Sequence, residues 1–427
     1  MGLSLKDIDY KKYILQALTI LLLFSSICLT GSNMVIIYAC ITLISFGYVI
    51  YMIIKKKSIL MDIYDLWLLL VFLLLIISGL ISPYKGGFSL KYFLLLCVCI
   101  ACVYFFMKNS KERLMDFIGQ VIEGTSVISC IYIAAHELPY FIINFSQISR
   151  GYMRYRFGLL SGINPTHTAG VFGILSVITF YFVFIEKKHR LIYVYIMQVI
   201  VAIFSGSKKG LVLIALPALL YFFRIGLKSW RNFIIFALTL VVTGIAIFKI
   251  PLLYNIVGYR ILDVLSELGI VKNAVLPESA IIDNSTTKRL NMIHDAWEMI
   301  IQKPVSGWGW NAFAVVAGYG IYSHNNYLEI LVSMGIIGFI IYYAMPAGLL
   351  IGSIRQKNKD KRFLCLCLII SMLLMDISSV TVYGHAIIYF IYAFLFLLVS
   401  EKLPCIKIYN KGITVVDKKD VEIENAE

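Results

Sequence analysis

Apolar runs of roughly 20 residues, separated by short polar and basic connectors, recur along nearly the whole chain. At about 1.5 Å of rise per helical residue, such a run matches the hydrocarbon core of a bilayer. The pattern predicts about twelve transmembrane helices, near 14–30, 34–54, 63–82, 90–107, 116–135, 168–186, 191–205, 210–223, 232–249, 326–352, 363–379 and 385–400. The expected fold is therefore an all-α polytopic integral membrane protein. Its transmembrane domain is expected over 1–403, with outer loops at about 136–167 and 250–325, and a polar, partly disordered cytoplasmic tail over 404–427. The longer loop, between the ninth and tenth spans, is expected to hold short amphipathic helices.

The first run follows Lys6, Lys11 and Lys12 and so has the outline of a secretory signal. A second span starts at Met34, where a cleaved signal would leave a soluble chain, so the first run is read as a permanent anchor.

Composition supports the bilayer reading. Of 427 residues, 60% are hydrophobic and only 15% charged, against roughly 25% charged in soluble domains. The mean hydropathy is +0.86. A water-soluble fold is excluded, because it would leave too much apolar surface in water.

The net charge of +14 raises the question of nucleic acid. The distribution of the charge answers it. Basic residues collect in alternate connectors: Lys55–Lys57; Lys108, Lys111 and Arg113; Lys187, Lys188 and Arg190; Arg224, Lys228 and Arg231; and Arg355 to Arg362. The positive-inside rule places those connectors, and with them both termini, on the cytoplasmic side of an inner membrane. The basic clusters are topology signals and lipid contacts, and no nucleic-acid partner is implied. The nine cysteines include Cys97, Cys99, Cys102, Cys365 and Cys367, all within apolar runs and without partnering histidines. They are read as small buried hydrophobes, and neither a metal nor another cofactor is expected.

Basic residues also occur on the opposite side, where the orientation rule does not ask for them, which points to an anionic ligand there. The runs flanking Ser205-Gly-Ser-Lys-Lys209 are about 14 residues each, roughly 21 Å, short of the bilayer core. The turn should sit low, and Lys208 and Lys209 with it. A lipid-linked phosphate would suit them; snorkelling to the interface is the alternative.

In the long loop, Ser285, Thr286 and Thr287 offer helix caps before an amphipathic stretch, Lys288 to Gln302. Leu290, Ile293, Trp297 and Ile300 define a face expected to pack on protein or membrane, with Arg289 off that face. Pro304 ends the helix. Trp308 and Trp310 follow in a glycine-punctuated turn and are expected to anchor at the interface, with stacking on sugar as the alternative. His324 lies at the mouth of the next span. Histidine is the usual general base near neutral pH, although a lone interfacial histidine is more often merely polar. Glu123 and Asp376, within or near spans, are further candidates, unless they pair with a hydroxyl or a lysine.

The run Arg289…Trp297…Pro304…Gly307-Trp-Gly309…Phe313…His324-Asn-Asn-Tyr-Leu-Glu329…Gly335-Ile-Ile-Gly338 resembles the signature of the O-antigen polymerase and ligase family. Arg156-Phe-Gly…Asn164-Pro165…Ala169 resembles that family's first outer motif. Ser205-Gly-Ser-Lys-Lys-Gly210 resembles its Ser-Arg-Gly turn, with lysine in place of arginine, which keeps the charge and loses the fork. The resemblance spans roughly residues 150–350. It implies metal-independent, inverting transfer of a glycan from undecaprenyl pyrophosphate to a sugar hydroxyl on the outer face of the inner membrane. It also implies His324 as base, Arg289, Lys208 and Lys209 holding the pyrophosphate, and Arg156, with Arg154, contributing from the first outer loop. The assignment fails if Arg289 and His324 lie far apart and on different faces of the long loop. Polymerisation of oligosaccharide repeat units for a surface polysaccharide such as capsule is the preferred reading, with a chain-length regulator and a flippase as expected partners. Ligation of finished glycan to a lipid acceptor is the alternative. A twelve-span flippase or transporter is the rival from another class; it would be expected to show an internal repeat, and none is seen.

Overall fold

The computed structural model describes residues 10–30, 34–56, 58–82, 84, 89–110, 114–153, 155–225, 230–267, 270–271, 285–383, 386–400, 405–409 and 412–416. In chain order the helices are α1 (Tyr10–Cys28), α2 (Val35–Lys56), α3 (Ile63–Ile81), α4 (Leu90–Lys108), α5 (Leu114–Ile143), α6 (Phe145–Ser149) and α7 (Pro165–Phe180, continued by a π turn, Tyr181–Ile185). Then come α8 (Ile192–Phe204), α9 (Lys208–Ile225), α10 (Trp230–Lys249), α11 (Pro251–Leu253) and, after a π turn at Tyr254–Gly258, α12 (Tyr259–Glu267). The last are α13 (Ser285–Gln302), α14 (Ala312–Val316), α15 (Asn326–Arg355), α16 (Lys359–Ser378) and α17 (Ala386–Val399).

The protein is a helical membrane protein. Among the described residues, seven helices are long and apolar enough to cross a bilayer, or eight if the bent pair Val241–Lys249 and Pro251–Leu262 forms one span. About twelve spans were expected from hydropathy. Each expected stretch does lie in a helix, but several fall short as independent spans. Thus α17 is only 14 residues long, and α16 carries four charged residues in its first turn, Lys359 to Arg362, and Asp376 near its end.

Two compact units divide the chain: Met1–Val121 with Thr287–Glu427, and Ile122–Thr286. In the first, α17 is buried along almost its whole length and packs against α1, α4 and α15. A helix sheltered by protein need not match the bilayer thickness, which accounts for its shortness. The indole N–H of Trp67 on α3 donates to the carbonyls of Ile341 and Tyr342 on α15, at 3.0 and 3.2 Å. At the start of α3, Asp62 and Asp65 form a capping box. Lys108 reaches both carboxylates, at 3.1 and 2.8 Å. Burial pushes the Asp62 carboxyl up, but Lys108 and the Tyr104 hydroxyl outweigh it and hold the group below its ordinary range.

The described residues of the tail are strands. Strands β1 (Ser58–Met61), β2 (Cys405–Tyr409) and β3 (Gly412–Val416) form an antiparallel sheet in that order, with Ser58 opposite Tyr409 and Cys405 opposite Val416. The alternation of apolar and polar residues in 405–416 is a strand period, and β1 gives it an edge to pair with.

In the second unit α7 is the centre, buried at almost every position. Helices α8 and α9 pack on it. The approach is close because small residues stand at the crossings. A Cβ on Gly173 would lie 2.9 Å from the Cβ of Leu213, and one on Gly210 would lie 2.9 Å from that of Ala169. Helix α5 runs on through Pro139 to Ile143, so the loop expected from about His136 starts later.

Candidate functional site

Within the first unit the site is built on a break in α15. Gly335 has φ 65° and ψ −165°, a conformation closed to residues with a Cβ, and it interrupts the helix. The carbonyls it releases do not go unmet. Val332 and Ser333 accept from the backbone N–H groups of Trp308 and Gly309, at 2.7 and 3.0 Å, and Ile336 donates to Pro304 at 2.9 Å. The Gly307-Trp-Gly309 turn is thereby sewn into the helix. It is tied to α3 as well, where Ser82 Oγ donates to the Trp310 carbonyl at 2.8 Å. Contact is backbone to backbone: a Cβ on Gly335 would stand 2.2 Å from the Val305 oxygen, and one on Gly307 would stand 2.6 Å from the Met334 nitrogen.

This arrangement corrects the expectation for the two tryptophans. Trp308 is half-buried, donates its indole N–H to the Met299 carbonyl at 2.8 Å and carries the Lys303 ammonium over its ring at 4.2 Å. Trp310 packs on Tyr383, with ring centroids 4.0 Å apart, and on Phe93. Both are bound into the protein rather than set out as interfacial anchors.

Helix α13 packs on protein through a face that shares only Ile300 with the expected stripe. Met292, Ala296, Met299 and Ile300 turn inward onto Ala312, Phe313 and Val332. Leu290, Ile293 and Trp297 are exposed, with Ile301 continuing their stripe. Apolar residues on two sides made the choice ambiguous in sequence. Arg289 precedes Ala296 by two helical turns and so belongs to the inward side, where it is half-buried. Each of the larger side chains of the cluster, Met292, Met299, Ile300, Phe313 and Val332, contributes about 1.5–3 kcal/mol, enough to hold α13 in a fixed orientation on α15.

His324 lies two residues before α15 and is half-buried. Its φ of 58° is left-handed, an uncommon state for a residue with a side chain. The residues on each side hold it there. Asn325 caps α15, accepting from the Leu328 N–H at 3.1 Å. Ser323 is buried; its N–H donates to the Glu329 carboxylate at 2.8 Å and its hydroxyl to the Asn325 carbonyl at 3.0 Å. Glu329, also buried, accepts from Tyr383 at 3.0 Å. The His324 ring meets the edge of Tyr322, centroid to centroid 4.8 Å. Partial burial and then the Glu329 charge push the Tyr322 phenol up, and Arg289 pulls it part of the way back. Arg289 and His324 thus both bear on Tyr322.

A second set of hydrogen bonds steadies the start of α15. Asn326 accepts from the N–H groups of Thr381 and Val382, at 2.9 and 3.1 Å, and donates to Tyr343 at 3.0 Å. Tyr343 and Thr381 in turn donate to Asp376, at 2.9 and 2.6 Å. Asp376 is therefore bonded to hydroxyls. Glu123, the other acid singled out, is held by Arg190 at 3.3 Å and Tyr193 at 2.7 Å.

In the second unit Arg156 donates from Nε to the Ser205 carbonyl at 2.8 Å and from Nη2 to Thr166 at 3.3 Å. This fixes its guanidinium against the Ser205-Gly206-Ser207 turn, from which α9 starts at Lys208. Lys209 is buried, and its charge acts on His167; Lys208 is half-buried. Three of the expected cations are therefore gathered at one turn, while Arg154 lies outside the described residues. The loop carrying Arg156 is organised by Glu137, a fully buried acid that the sequence reading did not single out. One of its oxygens accepts the N–H groups of Gly158, Leu160 and Ser161 and the Ser161 hydroxyl, at 2.9 to 3.0 Å. The other accepts from Tyr155. A lone acid in an apolar run was the available signal; placing the end of α5 too early put Glu137 in a loop and hid it.

Among the described residues, His294, Asp295 and Glu298 form the group with metal-ligand chemistry, their ligand atoms within 4.8 Å of one another. They lie on α13 and pair internally, His294 with Asp295 at 3.6 Å and with Glu298 at 3.7 Å. Asp295 also accepts from Tyr319 at 2.7 Å.

Residues 193–343 match the family model described as O-Antigen ligase. The matched stretch includes Lys208, Lys209, Arg289 and His324, and leaves out Arg156. No curated protein and no solved structure matches the chain.

Proposed function

We propose that this membrane protein of the O-antigen ligase and polymerase family catalyses inverting transfer of a glycan from undecaprenyl pyrophosphate to a sugar hydroxyl. The reaction runs on the outer face of the inner membrane, with both termini cytoplasmic, and most simply polymerises repeat units of a surface polysaccharide. The observation that carries the reading is His324: a half-buried imidazole in a left-handed conformation, sharing Tyr322 with Arg289. Backbone held in that state against its preference is a mark of functional positioning.

In the proposed step His324 takes the proton from the acceptor hydroxyl, and the oxygen attacks the anomeric carbon. The bond from that carbon to the pyrophosphate oxygen breaks, and its electron pair leaves with the pyrophosphate. A single displacement of this kind inverts the anomeric centre. Arg289, Lys208 and Lys209, with Arg156 and, as a further candidate, Arg154, receive the charge on the leaving group. Because the donor is lipid-borne, confinement to the membrane plane raises its effective concentration. Hydroxyl activation and leaving-group neutralisation are both met by side chains, so no metal is required by the proposal.

The match to the O-Antigen ligase family model favours a second reading, transfer of a finished glycan to a lipid acceptor. The glycan ladder of cells carrying His324→Ala, at equal protein level, tests both. Loss of polymer with single repeat units remaining supports the polymerase. Long lipid-linked chains left unattached support the ligase. An unchanged ladder overturns the role of His324.

A further inference from the structure

Helix α13 has two apolar faces, and only one of them is buried in protein, that of Met292, Ala296, Met299 and Ile300. Leu290, Ile293, Trp297 and Ile301 recur at helical spacing as a second stripe and are 43–65% exposed. The third side carries Asn291, His294, Glu298 and Gln302, all exposed. Two rulers in the same unit place the end of this helix at a membrane boundary. The first is the span α15. At about 1.5 Å per residue, its stretch from Gly335 to Arg355 rises roughly 30 Å, the thickness of the hydrocarbon core. Arg355 opens a basic connector and marks one surface, so Gly335 marks the other. The polar start of α15, with Asn326 and Glu329, then lies beyond the core. The second ruler is the span α3, which ends at Ile81. Its last turn meets the same level: the Trp310 N–H donates to the Ser78 carbonyl at 3.3 Å, and the Ser78 hydroxyl donates to the Ser333 carbonyl at 3.2 Å. Pro304, two residues after α13, is tied there directly, its carbonyl accepting the Ile336 N–H at 2.9 Å.

We propose that α13 is a membrane-docking helix, seated in the bilayer interface through Leu290, Ile293, Trp297 and Ile301. Continuity identifies the occupant as bilayer lipid. Ile336, Ile337 and Ile340 follow Gly335 on α15 and are 43–61% exposed; on a span, such side chains face acyl chains. Val305 is exposed as well, and its carbonyl closes on the Gly335 backbone. The stripe of α13 therefore ends where the lipid-facing surface of α15 begins. A helix with one side on protein, one apolar side uncovered and one polar side suits a place where protein, acyl chains and water meet. Trp297, near the middle of the stripe, is of the residue type that favours that zone. Docking holds Arg289, on the same helix, close to the lipid headgroups. The inference concerns the seat of the helix and stands whether or not Arg289 binds a pyrophosphate.

The test reads the emission of Trp297 in the full-length protein in phosphatidylcholine nanodiscs, taken as the difference between the unsubstituted protein and Trp297→Phe. Nanodiscs made with phosphatidylcholine brominated high on its acyl chains should remove most of that difference emission. Persistence of the emission in brominated lipid overturns the proposal, and iodide added to the buffer then tells what covers the stripe. Quenching by iodide means that the stripe faces water. Quenching by neither means that protein covers it, either a second copy or another part of this chain. If Trp297→Phe does not fold, Ile301→Trp places a new indole on the same stripe, and its added emission must be lost in brominated lipid in the same way.

Discussion

The carboxylate of Glu329 accepts the backbone N–H of Ser323 at 2.8 Å, from one turn inside α15 back to the residue next to His324. A buried acid on the helix thus fixes the backbone from which the proposed base projects, and Tyr383 holds the second oxygen of that acid. Glu329→Gln puts an amide N–H toward one of two donors. The loss of a hydrogen bond between a charged group and the buried N–H is about 1.5–3 kcal/mol. Polymer formation in the cell should fall by about tenfold or more at near-normal protein level, as read from the glycan ladder against an immunoblot. Full activity would show that His324 needs no such support.

Gly335 is expected to tolerate no side chain. Gly335→Ala combines a forbidden backbone state with a contact of 2.2 Å to the Val305 oxygen, and should cost about 3 kcal/mol or more. Thermal unfolding in detergent checks it. Gly348→Ala serves as the control, since nothing lies within 4 Å of its Cβ position and alanine favours the helix.

Arg289→Gln should lower glycan transfer by about a hundredfold, the usual scale for removing a preorganised donor of positive charge. Arg289→Lys should restore part of it, since the charge remains and the fork is lost. Because Arg289 pulls the Tyr322 phenol down, Arg289→Gln should also raise the phenol further, which titration of tyrosine absorbance against a Tyr322→Phe background would detect. Equal activity of all three proteins would remove Arg289 from the mechanism.

Glu137→Gln should release the 155–161 loop. The carboxylate oxygen that accepts four donors becomes a weaker neutral acceptor, and Arg156 loses its fixed approach to Ser205. Limited proteolysis should find a new cut between Tyr155 and Ser161, and pyrophosphate affinity should fall with it. A loop as resistant as before would mean that Phe157, Phe141 and Phe204, whose rings pack together, hold it unaided.

The chain states its solvent openly. Apolar runs with basic connectors define a helical membrane protein, because a bilayer accepts backbone only when its hydrogen bonds close within the segment. The residues proposed for chemistry were legible too: His324 and the Lys208–Lys209 pair stand out as polar groups at the ends of apolar runs, and Arg289 as a cation near the start of an amphipathic stretch. What could not be read was which helices match the bilayer and which, like α17, are sheltered by protein, since both are equally apolar. Nor could the sequence choose the inner face of α13, because Met292 and Ala296 on one side and Leu290 and Trp297 on the other offer comparable apolar stripes. Only the packing of α13 on Phe313 and Val332 decides between them. The break at Gly335 and the carboxylate of Glu137 behind the Arg156 loop belong to tertiary structure alone. Each depends on a contact between residues far apart in the chain, and local periodicity carries no information about such contacts.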